Sequence, residues 1–183
     1  MKILLHMCCA VCGAGVIEGL MKNNKTTLFF SNSNIFPKRE FEKRLENAKK
    51  ISEIYGLELV ADEYYHEGWL DFIKGLESEP EKGKRCLKCF EFNLKKTALK
   101  AKELEIDGFA TTLTISPHKD SKRIFEIGKK IADKYNINFL EKDFKKNDGF
   151  KKSNELSNKY GLYRQNYCGC EFSLKRSIAS PNE

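Results

Sequence analysis

The strongest constraint on the fold of this chain is a regular alternation of short apolar segments with longer amphipathic ones. Within the first 140 residues, five segments rich in aliphatic, aromatic or β-branched side chains are separated by stretches of helical periodicity. Strands are predicted at residues 2–7, 26–31, 57–61, 109–112 and 137–140, and helices begin near Ala14, Pro37, Trp69, Cys86 and just after the Ser116–Pro117 turn. Such alternation is typical of a parallel sheet covered by helices. We therefore predict an α/β fold with a Rossmann-like parallel sheet, followed by an irregular segment after Asp143.

The chain is long enough for one domain with a sizeable core. A chain of 183 residues buries roughly two-thirds of its unfolded surface and needs no disulfides for stability. We predict a single α/β metalloenzyme domain over residues 1–179 and a loose C-terminal tail over residues 180–183. The apolar stretch at residues 3–5 is too short for a signal peptide, and no apolar run approaches the ~20 residues of a membrane span. We therefore expect a cytoplasmic protein with no membrane partner.

The charge of the chain indicates an anionic partner. Lysine and arginine total 33 against 26 acidic residues, for a formal net charge of +7. Much of the excess lies in basic pairs: Lys38–Arg39, Lys43–Arg44, Lys49–Lys50, Lys95–Lys96, Lys145–Lys146 and Lys151–Lys152. Nucleic acid is the obvious candidate partner. A lysine-rich surface that only maintains solubility is the competing interpretation.

Seven cysteines fall into three tight groups along the chain. The groups are Cys8, Cys9 and Cys12 after the first predicted strand, Cys86-x-x-Cys89 at a predicted helix start, and Cys168-x-Cys170 near the end. Chelation and disulfide exchange both need sulfurs a few ångströms apart, so this spacing indicates thiolate chemistry. In a reducing compartment such clusters are metal or redox sites rather than structural disulfides. Inert buried thiols are the competing interpretation.

The first two groups together supply enough sulfur for a metal centre. Cys86 and Cys89 share one face of their predicted helix, and the helix N-terminus favours their thiolate forms. The chain must also turn at Cys8 and Cys9 for both sulfurs to reach one centre. Four thiolates from two segments fit either tetrahedral zinc or an iron–sulfur cluster. A zinc site would combine Cys86 and Cys89 with the Cys9-x-x-Cys12 pair.

The third group differs in its spacing. Cys168-Gly-Cys170 permits a strained, reducible disulfide of the kind that tends to be catalytic. Two additional metal ligands are the alternative.

Polar side chains near the predicted strand ends are candidate substrate contacts. The carboxyl ends of parallel strands border one crevice, so residues 31–34 and 111–116 should converge with the first cysteines. Tyrosine rings near the chain end could stack on a nucleotide, with core filling as the alternative. The candidate contacts are Ser116, Lys119, Tyr163, Arg164 and Tyr167. His6 is expected to be a packed, hydrogen-bonded strand residue, with a metal ligand or a hydrogen-bond donor to the ligands as the alternative, and His66 is expected on the surface.

Five ordered motifs resemble those of one enzyme family. They are H-x-C-C (residues 6–9), N-x-x-I-x-P (32–37), R-C-x-x-C (85–89), T-T-L-x-x-S-P (111–117) and Y-R-Q-x-Y-C-G-C (163–170). This set is similar to that of the QueH-type epoxyqueuosine reductases, over residues 3–173. Two departures are Val11, where the family has proline, and residues 118–120, where it more often has tyrosine and asparagine.

The resemblance implies removal of the epoxide oxygen from epoxyqueuosine in tRNA, at the anticodon wobble position, with an external low-potential electron donor. It implies a [4Fe-4S] cluster on Cys8, Cys9, Cys86 and Cys89, a redox-active pair at Cys168 and Cys170, and an additional mononuclear iron for which Cys12 is the nearest free thiolate. It also implies the sheet of the PP-loop ATPase group without the phosphate loop. A zinc-stabilised nucleic-acid-binding module and a metal-free thiol–disulfide oxidoreductase remain open alternatives.

Overall fold

A parallel sheet forms the centre of the protein. A computed structural model describes residues 1–179, so the predicted tail at residues 180–183 lies outside the described residues. The strands are β1 (Lys2–His6), β2 (Lys25–Phe30), β3 (Leu59–Ala61), β4 (Gly108–Thr111) and β5 (Asn138–Phe139). They lie in the order β3-β2-β1-β4-β5, and every neighbouring pair is parallel. The predicted Rossmann-like α/β fold is confirmed.

Helices cover both faces of this sheet. They are α1 (Ala10–Met21), α2 (Lys38–Tyr55), α3 (His66–Phe72), α4 (Lys84–Glu103), α5 (Ser121–Tyr135), α6 (Gly149–Lys159) and α7 (Glu171–Ala179), with a 3₁₀ turn at Thr112–Ile115. None of the helices within residues 1–179 is both long and apolar enough to cross a membrane.

The strand order creates a crevice beside β1. The chain runs from β1 outward to β2 and β3, then crosses back to pair β4 with the other edge of β1. In open α/β sheets, ligands bind at the carboxyl ends of the strands where the order reverses in this way. The segments that follow His6 and Thr111 therefore border the same crevice.

The core follows the alternation of side chains along β1. Ile3 and Leu5 join one fully buried cluster with residues of α1 and α2. Leu4 points to the opposite face and joins a second cluster that includes Leu94 of α4 and Ile124 of α5. Each fully buried aliphatic side chain of this kind contributes about 1.5–3 kcal/mol. The central strand is thus held on both sides, which makes its carboxyl end a rigid support.

Helix α1 begins at Ala10, earlier than the sequence pattern predicts. Cys9 is its N-cap, and the Cys9 Sγ accepts a hydrogen bond from the Cys12 backbone N–H at 3.4 Å. Sulfur here fills the role that a serine or aspartate oxygen usually has. A Cβ on Gly13 would lie 2.6 Å from Met7 Sδ, so this glycine permits close packing of α1 against Met7, the residue after β1.

The prediction of an irregular segment after Asp143 is wrong, because α6 and α7 form there. Helix α6 packs on α1, and buried Ser153 lies at the contact. A Cβ on Gly15 of α1 would lie 3.0 Å from Ser153 Cβ, so the two helices are in close contact. Hydrophobic periodicity identifies a helix by its large apolar residues. In α6 only Leu156 packs against the core, Phe150 is exposed, and a serine lies at the contact with α1, so the signal is weak.

Candidate thiolate site

Three thiols meet where β1 passes into α1. The Sγ atoms of Cys8, Cys9 and Cys12 all lie within 4.8 Å of one another, at a site that is buried or half-buried. The Thr112 hydroxyl donates to Cys8 Sγ at 3.3 Å, and the Gln165 amide donates to Cys9 Sγ at 3.0 Å. The turn that was expected to bring Cys8 and Cys9 together is therefore present, and Cys12 joins them from the first turn of α1.

The three thiols differ in their acidity. Hydrogen bonds from Cys12 and Cys8, supported by the Gln165 amide, hold the pKa of Cys9 well below its usual range despite burial. The same contacts with Cys8 and Cys9, together with burial, raise the pKa of Cys12 well above its usual range. Cys9 is therefore the most readily ionised sulfur of the three, and a thiolate is the form that binds metal.

The donor set fits a thiophilic metal. Zinc–sulfur bonds of about 2.3 Å put tetrahedral thiolates about 3.8 Å apart, which is compatible with the spacing of this group. Soft thiolates also select iron–sulfur clusters over the hard cations that prefer oxygen. Cys8, Cys9 and Cys12 could therefore hold a metal or part of a cluster.

Cys86 and Cys89 occupy the first turns of α4, as predicted. Burial raises the pKa of both thiols, and negative charge on Cys168 and Cys170 raises it further. This direction is opposite to the one that the helix N-terminus alone predicts, because desolvation of a buried thiolate exceeds the effect of the helix dipole. The segments that carry the second and third cysteine groups meet in the fold, because Arg85 Cζ lies 4.4 Å from the ring centroid of Phe172, although more than seventy residues separate the two groups in the chain.

Hydrogen bonds from Arg44 and Phe36 hold the backbone of the C-x-C segment. Arg44 is buried, forms an ion pair with Glu40 at 2.7 Å, and donates to the carbonyl oxygens of Tyr167 and Cys168 at 3.2 and 3.0 Å. Gly169 O accepts from the backbone N–H of Phe36 at 2.8 Å. Cys168 is exposed, Cys170 is half-buried, and both thiols are free.

Lys119 connects the cysteine groups electrostatically. It is half-buried and follows the 3₁₀ turn after β4. Burial by itself lowers its pKa, but negative charge on Cys168, Cys8, Cys12 and Cys9 outweighs burial and raises the pKa above the ordinary value. A charged Cys168 acts on Lys119 as well as on Cys86 and Cys89. Among the described residues, however, only Cys8, Cys9 and Cys12 form a group of three whose sulfurs lie within 4.8 Å of one another, and Cys86 and Cys89 lie outside that group.

The other side chains that were predicted to contact a substrate form hydrogen bonds within the protein. The Tyr163 hydroxyl donates to Glu40 at 3.1 Å, and the Tyr167 hydroxyl donates to Phe36 O at 2.5 Å. Arg164 donates to Asn154 Oδ1 at 2.9 Å. Ser116 Oγ accepts the backbone N–H of His118 at 3.3 Å.

The predictions for His6 and His66 compare differently with the structure. His6 is buried, hydrogen-bonds with Thr111 Oγ1 at 3.0 Å and has its pKa lowered by burial, so the packed strand histidine is confirmed. The prediction that His66 lies on the surface is wrong. It is buried and hydrogen-bonds with Ser33 O at 2.7 Å and Glu171 Oε1 at 3.2 Å. Its partners lie 33 and 105 residues away, so no local pattern identifies them.

The fold and the site together define an α/β protein with a group of thiols at the switch-point crevice of a Rossmann-like sheet. Comparison with known proteins specifies the family. The family model "Epoxyqueuosine reductase QueH" matches residues 3–176, and the chain belongs to this family.

Relatives with that name occur in distant bacteria. Those of Streptococcus pyogenes serotype M1, Staphylococcus epidermidis and Thermotoga maritima are 42%, 37% and 37% identical to this chain, over 95%, 97% and 94% of its length. The aligned regions cover 71%, 78% and 90% of the three relatives.

Proposed function

We propose that this chain is an epoxyqueuosine reductase that acts on tRNA and completes queuosine biosynthesis. Its substrate is epoxyqueuosine at the anticodon wobble position, its electrons come from an external low-potential donor, and its location is the cytoplasm. Family membership supports the reaction class. The observation that carries the proposal is the convergence of Cys8, Cys9 and Cys12 at the switch-point crevice, where sheets of this kind bind their ligands.

The reaction sets what the site must supply. Conversion of the epoxide into an alkene with release of water consumes two electrons and two protons. A dithiol that becomes a disulfide releases two electrons and two protons. A bound four-iron cluster would supply electrons one at a time at low potential. A dithiol at Cys168 and Cys170, re-reduced by the external donor, therefore balances the reaction.

We assign the cysteines as their motifs suggest. The proposed ligands of a [4Fe-4S] cluster are Cys8, Cys9, Cys86 and Cys89, with Cys12 as a ligand of an additional iron and Cys168 and Cys170 as the redox-active pair. The softness of the donors supports this assignment. The charge of a Cys168 thiolate also raises the pKa of Cys86, Cys89 and Lys119, which supports a place for the redox-active pair near these residues.

Lys119 has a distinct role in this proposal. As the epoxide C–O bond breaks, negative charge develops on the oxygen, and a cation held in a partly desolvated site stabilises that charge. What supports the role is the position of Lys119 after the 3₁₀ turn that follows β4, at the crevice side of the sheet, and a raised pKa that keeps its side chain cationic. Ser116, Tyr163, Arg164 and Tyr167 are the proposed contacts to the rest of the substrate.

Anaerobic purification followed by an activity assay tests the function. The protein should be brown, contain iron and sulfide, and convert epoxyqueuosine in tRNA to queuosine when a low-potential reductant is added, as measured by mass spectrometry of digested tRNA. Colourless protein with zinc would indicate the nucleic-acid-binding module, and metal-free protein would indicate a thiol–disulfide oxidoreductase. Iron-loaded protein that leaves the epoxide intact would overturn the proposal.

A further inference from the structure

We propose that Phe36 and Tyr65 form an aromatic rim on which unpaired bases of the tRNA anticodon loop stack beside the thiolate site. This inference rests on the proposed function and names the surface that receives the substrate. Sequence-tolerant stacking on aromatic side chains is a general way of holding single-stranded nucleic acid, and anticodon bases are recognised in unstacked form.

Both rim residues lie at the edge of the sheet that carries the cysteines. Phe36 follows β2 and Tyr65 follows β3, so both come from loops at the carboxyl ends of strands. The backbone N–H of Phe36 donates to Gly169 O at 2.8 Å, directly between the two cysteines of the C-x-C segment. A base stacked on Phe36 is therefore adjacent to the exposed thiol of Cys168.

The rings of the rim are accessible, unlike those of their neighbours. Phe36 is 39% exposed and Tyr65 is 56% exposed. The third exposed aromatic residue among the described residues, Phe150, lies on α6 instead of at a strand end. Tyr163 is less suited to stacking because the Lys43 ammonium lies 3.6 Å from its ring centroid.

The rim is also held firmly, which lowers the entropic cost of binding. The Phe36 ring packs on buried His66 with centroids 5.4 Å apart, and His66 is anchored at both ring nitrogens. Ser33 Oγ accepts from the Tyr65 backbone N–H at 3.2 Å. The Tyr65 ring lies over Gly68, where any Cβ would collide with it.

The surrounding charges orient the bound strand. Lys38 and Arg39 are exposed and follow Phe36 and Pro37 in the chain, which provides cations for the phosphates on that side. Glu63 and Glu67 are exposed beside Tyr65 and repel phosphate. The sugar–phosphate backbone should therefore pass along the Phe36 side, while Tyr65 contacts a base.

The test compares Phe36→Ala and Tyr65→Ala with Phe150→Ala, a matched removal of an exposed aromatic ring elsewhere. Each rim variant should raise the dissociation constant and KM for epoxyqueuosine-containing tRNA on the order of ten-fold. The value of kcat should stay unchanged, because the lost contact is made equally in ground and transition states. Phe150→Ala should bind as the wild type does.

Further variants and readouts separate the possible outcomes. Tyr65→Phe keeps the ring and should keep the affinity. Phe36→Leu keeps apolar volume but lacks the ring face, so it should lose affinity while retaining its circular dichroism spectrum and iron content. Wild-type affinity in both alanine variants would overturn the rim, even if the wild-type enzyme reduces epoxyqueuosine. A wild-type enzyme that binds tRNA through the rim yet leaves the epoxide intact would instead overturn the proposed function.

Discussion

Gly169 is the residue on which the shape of the C-x-C segment depends. Its φ of 146° lies in a region that side chains rarely adopt, and a Cβ would lie 3.3 Å from both Arg44 Nη1 and Ile35 Cγ1. The conformation persists because Arg44 and Phe36 hold the backbone on both sides. Such over-determined backbone is common at functional sites.

Gly169→Ala should therefore destabilise the protein by about 1–3 kcal/mol, since alanine is strained in this conformation. Gly19→Ala is the matched control, because no atom lies within 4 Å of a Cβ built there. As a helix-interior position, residue 19 should gain about 1 kcal/mol from alanine. Urea unfolding of both variants measures the difference. Equal stability changes would contradict the strained role of Gly169.

Replacing Cys168 and Cys170 by serine tests whether these two cysteines are a redox-active pair or ligands of the cluster. The double variant should keep the iron and colour of the wild type, because the proposed cluster ligands are elsewhere. It should lose turnover, because the dithiol that supplies the electron pair is gone. Iron content and epoxide reduction are measured on one preparation. Loss of the cluster would make these residues ligands, and unaltered turnover would make them bystanders.

On the scale of secondary-structure elements, polar contacts hold α6 against α1. Ser153 Oγ hydrogen-bonds with Val11 O and accepts from the Gly15 backbone N–H at 3.3 Å. At the outer edge of the contact, Lys152 Nζ lies 2.8 Å from Glu18 Oε2. This contact supports α1, and α1 carries Cys12 and is capped by Cys9.

The Glu18–Lys152 pair should make stability depend on pH in the acidic range. The hydrogen bond from Lys152 is the largest cause that lowers the pKa of Glu18. The pair's contribution is therefore complete above the pKa of the unfolded-state carboxyl and is lost as pH falls through the lower folded-state value. Lys152→Met should reduce this dependence, leaving the smaller part that comes from the Tyr55 hydroxyl and Lys159. It should cost less than about 1 kcal/mol near neutral pH, because the pair is solvent-screened.

Urea unfolding of Lys152→Met at several pH values provides the measurement, with the neighbouring Lys151→Met as the control. If both variants show the same pH dependence as the wild type, the ion pair does not stabilise the contact between α1 and α6.

On the scale of the whole molecule, the excess of cations is the property most relevant to a tRNA partner. The net charge of +7 spreads over basic pairs on several helices. Lys38 and Arg39 begin α2 beside the proposed rim, whereas Lys129 and Lys130 lie on α5. The two pairs therefore allow local phosphate contact to be distinguished from overall charge.

Binding to tRNA should weaken with salt because phosphate contacts release counterions. Between about 50 and 200 mM salt, the affinity should fall roughly ten-fold or more. Lys38→Gln with Arg39→Gln should reduce the slope of log affinity against log salt by roughly 1–2. Lys129→Gln with Lys130→Gln should leave it unchanged. An affinity of the wild type that is constant over this range would remove the nucleic-acid interpretation of the charge.

Local patterns in the sequence were enough to predict the sheet, most of the helices and the family. The signal for a strand such as β2 is a short apolar run. The signal for the end of α2 is Gly56, whose φ of 60° suits glycine. Each of these signals lies within a few residues of the chain. The clustering of cysteines likewise predicted a thiolate site at the end of β1.

Tertiary structure alone decided the features that depend on distant partners. Ser153 of α6 becomes a contact only because α1 presents Gly15 to it. His66 is buried because Ser33 and Glu171 reach it from far along the chain. The pKa values of Cys86 and Cys89 are raised because folding desolvates them and brings the C-x-C pair close. Periodicity records which residues avoid water, whereas burial, charge and hydrogen bonding between distant segments exist only after the chain has folded.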